Sequence, residues 1–143
     1  MIDVYAPIIP YVGMAGIKLY STIDEIKKLL SLKKVTKVIL NNTWIRYDID
    51  DTIELFFHKI NRKLFRITTL ENYKGKLFDK IAVGTNAAVL LEPEFSFWYD
   101  EFEEVYESDK GVFIETDAQS NTVKWISVYI KELDDDNFEN AKW

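Results

Sequence analysis

Cysteine is absent from the 143 residues, and histidine occurs once. The first absence excludes disulfides, thiolate metal sites, a cysteine nucleophile and any lipid carried on cysteine. The second leaves a single imidazole for acid–base chemistry, His58. Only five glycines and three prolines are present, scattered along the chain, so no glycine-rich phosphate loop exists and no flexible linker divides the sequence. No apolar run approaches the roughly 18 residues of a membrane span, and Met1-Ile2-Asp3-Val4-Tyr5 has neither the basic start nor the apolar stretch of an export signal. These features lead to the expectation of a soluble, cytoplasmic protein with no membrane partner. A chain of this length can bury roughly two-thirds of its unfolded surface, and its 48% hydrophobic content is enough for a core without covalent staples.

Charge is unevenly distributed. Residues 1–75 carry twelve basic and eight acidic side chains, net +4, whereas residues 76–143 carry six and sixteen, net −10. A field of that shape steers basic partners and repels phosphates, which disfavours nucleic acid as a ligand.

Local pattern points to an α+β fold with an antiparallel sheet. Thr22 followed by Glu25 forms a capping box, and Ile23, Ile26, Leu29 and Leu30 fall on one face, predicting an amphipathic helix over 22–32. Alternation predicts strands at 44–49, 52–58 and 63–70, with a turn at Asn61. His58, flanked by Phe57 and Lys59, falls on the face expected to be polar, so a surface histidine is predicted there. The second half repeats the order: Ile81–Asn86 echoes Ile17–Thr22 at an offset of 64, Ala87–Leu91 is a short apolar segment ended by Glu92-Pro93, residues 104–107 are a strand, and 112–116 with 122–130 form a hairpin. The organisation expected is one domain over 1–133, as tandem helix–strand–hairpin repeats at 13–75 and 76–133, followed by an acidic tail at 134–143.

Catalytic constellations are sparse. Carboxylates are numerous enough to supply an acid and a base, which keeps a carboxylate-dependent hydrolase as the weakest reading. Asp48-x-Asp50-Asp51 and Asp134-Asp135-Asp136-Asn137 lack the spacing of a calcium loop, and a polar turn and a solvated tail explain them. No enzyme activity, cofactor or metal is expected.

The most informative segment is 92–109. It holds eight acidic side chains, six aromatic rings and no lysine or arginine. Carboxylates pair with the cations of a partner while Trp and Tyr supply stiff contact area, the composition of an interface hot spot. Trp98, Tyr99, Asp100, Glu101, Glu103, Glu104 and Glu107 are the candidate contact residues. Helical spacing of Phe95, Trp98 or Tyr99, Phe102 and Tyr106 accounts for the same rings as core, and both placements stay open at the level of sequence. Phe138 and Trp143 leave the acidic tail with two placements as well: unstructured, or docked on a partner or on its own domain.

The segment Gly13-Met-Ala-Gly16-Ile17-Lys-Leu19-Tyr-Ser21-Thr22-Ile23-Asp24-Glu25-Ile26, together with the pairing of Gly111–Asp117 and Val123–Ile130, resembles small immunity proteins of bacterial contact-dependent growth inhibition and related polymorphic toxin systems. The same residues are similar to the fold of the outer-membrane assembly lipoprotein BamE and of β-lactamase inhibitory protein. The resemblance implies a non-enzymatic inhibitor that binds a cognate toxin domain, often a basic nuclease, with a BamE-like scaffolding module as the alternative. Absence of an acceptor cysteine departs from the BamE pattern.

Overall fold

The computed structural model describes residues 2–30 and 35–143. Two short strands, β1 (Gly13–Met14) and β2 (Ile17–Lys18), form a hairpin, and one α-helix, α1 (Ile23–Lys27), follows. Then come β3 (Val35–Leu40), β4 (Trp44–Ile49), β5 (Ile53–His58) and β6 (Leu64–Thr69), and after a long connection β7 (Trp98–Asp100), β8 (Val105–Glu107), β9 (Val112–Asp117) and β10 (Thr122–Tyr129). These last eight form one antiparallel sheet in the order β3-β4-β5-β6-β10-β9-β8-β7. The sheet consists of two four-stranded meanders joined where their last strands, β6 and β10, pair.

That architecture overturns the expectation of an α+β fold made of helix–strand–hairpin repeats at 13–75 and 76–133. Helical turns of every kind make up 14% of the described residues, which contain a single α-helix. The physical reason is length. The capping box at Thr22 and Glu25 forms as the sequence predicts, but α1 stops at Lys27 rather than continuing over 22–32, of which Ser31 and Leu32 lie outside the described residues. Ala87–Leu91 has only five residues before Glu92-Pro93 and closes as a 3₁₀ turn capped by the Asn86 side chain, because so short a segment cannot repay helix nucleation.

Strand periodicity and turn chemistry explain the meanders. Consecutive residues with positive φ, Asn41-Asn42 and Asp50-Asp51, make the β3–β4 and β4–β5 turns, the left-handed conformations that Asn and Asp tolerate and that match sheet twist. Ile45, Ile49, Ile53, Leu55, Phe57, Ile67, Ile114, Ile126 and Val128 are buried in one hydrophobic core. The N-terminal segment and α1 close that core. Ile23 and Ile26 of α1 share an apolar cleft of about 330 Å³ with Val35, Tyr47 and Phe57 of the sheet. Burying a side chain such as Phe57 contributes about 1.5–3 kcal/mol.

Two polar anchors fix this cover. The Tyr73 hydroxyl donates to the Ala6 carbonyl (2.6 Å) and accepts from the Ala15 amide (2.9 Å), and burial pushes its pKa up to about 12. Gly13 admits the close return of β2: a Cβ there would stand 2.0 Å from the Ile17 carbonyl oxygen.

Candidate functional site

The segment singled out by composition folds at one end of the sheet. Pro93–Phe95 is a 3₁₀ turn, after which the chain runs through β7, a tight turn and β8. Trp98 pairs with Glu107, Tyr99 with Tyr106 and Asp100 with Val105. A strand hairpin, not a helical stripe, therefore decides which rings point inward. Phe95 is buried and stacks on Phe78 at 5.7 Å, and Phe97 and Tyr106 pack against the core. Trp98 is 52% exposed, Tyr99 47% and Phe102 91%. Tyr99 meets Tyr106 edge-on at 5.0 Å, which orders its ring without covering it.

The candidate carboxylates divide into two groups. Asp100 builds the turn: its Oδ1 accepts from the amides of Phe102 (2.9 Å) and Glu103 (3.2 Å), while its carbonyl accepts from the Glu104 amide (2.8 Å). Glu101, Glu103 and Glu104 are exposed beside it. Glu107 is partly buried, and that burial, reinforced by Asp100, Asp134 and Glu103, raises its pKa. Further back, Glu92 and Glu94 share the single Lys80 ammonium, each 3.2 Å from it, so one of their two charges is offset. What stands out on this hairpin is a set of acids and rings with no cation in residues 92–109.

The remaining sequence-marked features take other roles. His58 is not at the surface, contrary to expectation. Its side chain is 0% exposed, with Nδ1 accepting from the Ile60 amide (3.2 Å) and Nε2 3.3 Å from the Glu139 carboxylate. The cover comes from the C-terminal segment. Phe138 and Trp143 stack on one another at 5.1 Å and pack against His58 and Phe65, Phe138 also meeting Trp44, while Trp44 Nε1 donates to Glu139 (3.0 Å). Residues 134–143 thus lie on their own sheet. Asp50 and Asp51 are turn residues, as the polar-turn reading has it, and among the described residues no group of three or more potential ligands is placed to hold a metal ion.

Sequence reasoning missed a charged row on the sheet face opposite α1. Arg46 holds Asp48 through two contacts, 2.7 and 3.0 Å, and lies 3.5 Å from Glu54. The Arg66 guanidinium is sandwiched between Phe56 (4.3 Å) and Phe113 (4.7 Å), and its Nε donates to Thr68 (3.1 Å). Burial lowers the Arg66 pKa, opposed by Glu54 and Glu115, and burial raises both of those carboxylates. Alternation of Arg46, Asp48, Glu54 and Arg66 with apolar residues was the available signal, since charges at every second position mark the second face of a strand. Arg46 thus pairs with Asp48 and Glu54, and Arg66 acts on Glu54 and Glu115 through charge. A cleft of about 460 Å³ lies at the sheet end near Asp51, Glu71, Asp117, Lys124 and Trp125, away from the hairpin.

No family model matches the chain, and no curated protein matches it. Among solved structures it is similar to a cysteine-rich secretory protein from Staphylococcus aureus subsp. aureus Mu50, with a TM-score of 0.54 and 11% identity over 92% of this chain. The match spans about half of that protein (51%), and at that identity it speaks to the fold alone.

Proposed function

We propose that this protein is a non-enzymatic inhibitor, an immunity protein that binds a basic toxin domain through the β7–β8 hairpin and works in the cytoplasm of the cell it protects. One observation carries the reading: Trp98, Tyr99 and Phe102 are held exposed among Asp100, Glu101, Glu103, Glu104 and Glu107, with no cation in the segment. Exposed rings cost the protein apolar surface in water, and that cost is recovered when a partner covers them. Carboxylates around them set the sign of the partner's charge and raise its association rate. On a nuclease they stand where substrate phosphates would, competing for the same arginines and lysines.

Co-expression with the toxin domain encoded immediately upstream tests this, scored by survival and by co-purification. Protection and a stable complex are expected. In the Glu103→Lys, Glu104→Lys double variant, association slows by about tenfold or more and loses most of its dependence on ionic strength. A stable complex with an assembly partner and no protection against the toxin would instead identify a scaffolding module.

A further inference from the structure

β7 is the last strand of the eight-stranded sheet and, among the described residues, pairs only with β8, which leaves its outer backbone edge open. Folded proteins commonly guard such an edge by keeping it short and charged, and three residues beside five carboxylates meet that description. Guarding does not explain the rings. Large exposed aromatics on an edge strand invite contact, and here they alternate by face. Trp98 and Asp100 lie on the same side as Glu107, while Tyr99 lies on the other with Tyr106. A strand laid along this edge would meet an acidic face bearing one indole and, on its other side, an aromatic face with no acid on β7.

We infer that β7 is a docking edge for an extended segment of a partner protein, which adds a ninth strand with lysine or arginine facing Trp98 and Asp100 and an apolar residue facing Tyr99. The inference rests on the interface reading above and specifies the partner's chemistry. Main-chain hydrogen bonds give such an added strand its affinity and alternate side chains its specificity. Cations on the acidic face pair with carboxylates and lie over the Trp98 ring. A second copy of this chain is disfavoured as the occupant, because it would bring its own five carboxylates against these five.

Titration calorimetry of the full chain with blocked seven-residue peptides tests the inference. A peptide alternating Lys and Val is expected to bind, one alternating Glu and Val at least tenfold more weakly, and Trp98→Ser, Tyr99→Ser to lower affinity for the first by a similar factor. Two versions of the Lys–Val peptide, N-methylated on alternate residues along one backbone edge or the other, separate strand addition from simple charge attraction: one must lose at least tenfold in affinity and the other retain it. Amide exchange at Trp98–Asp100 must slow in the complex. If both methylated peptides bind equally, strand addition is wrong while the acidic–aromatic surface stands. Failure of every peptide to bind overturns the inference and leaves the co-expression test to judge the toxin reading. A dimer in sedimentation that Trp98→Lys dissolves would make a second copy the occupant and overturn it too.

Discussion

At Arg66 one side chain does the work that a second layer would otherwise do. Its guanidinium lies between two phenyl rings, bonds Thr68 and is flanked by the Glu54 and Glu115 carboxylates, so the row of charges covers its own sheet face. Planarity matters here, because only a flat cation stacks on two rings at once. Arg66→Ala is expected to cost about 2–4 kcal/mol in urea unfolding, and Arg66→Lys to recover less than half of that. Glu107 gives a pH signature. Its raised pKa means the folded chain binds a proton more tightly than the unfolded one, so stability falls as pH rises from the ordinary carboxylate range through the raised value. Glu107→Gln removes that loss: the variant unfolds at higher urea than the parent at pH 7, and the difference closes by pH 4.

Among the elements, α1 depends most on its cap. It has five residues, and the reciprocal bonds of Thr22 and Glu25 satisfy donors that so short a helix cannot satisfy internally. Thr22→Ala should lower stability by about 1 kcal/mol, read from the urea midpoint at unchanged slope. The hairpin β7–β8 follows the opposite logic, holding apolar rings outward through backbone pairing and the Asp100 turn. Six expected strands, β4, β5, β6, β8, β9 and β10, lie within one residue of their predicted bounds. Helix length was not legible, because Leu29 and Leu30 continue the apolar face past the point where the backbone leaves the helix. His58 was misread for a related reason: alternation assigns it to the face opposite Phe57, correctly, but only the distant Phe138 and Trp143 make that face dry.

Over the whole molecule, one seam joins the two meanders. Ser127 pairs with Thr68, Val128 with Ile67 and Tyr129 with Arg66, and the buried hydroxyls of Thr68 and Ser127 share a hydrogen bond of 2.7 Å. The core is continuous across the seam, so both halves should unfold together. Coincident urea transitions by far-UV circular dichroism and by tryptophan emission check this, with Trp44 in one meander and Trp98 and Trp125 in the other. The sequence by itself determined the period-2 strands, the polar turn at Asp50-Asp51, the Thr22 cap and the acidic–aromatic bias of 92–109, since each depends on residues within a few positions of one another. Only the tertiary structure decided that β6 pairs with β10, that the acidic C-terminal segment lies on its own sheet, and that Phe95 turns inward while Trp98, Tyr99 and Phe102 stay out. Those outcomes depend on surfaces contributed by residues far apart in the chain, and no local window contains both partners.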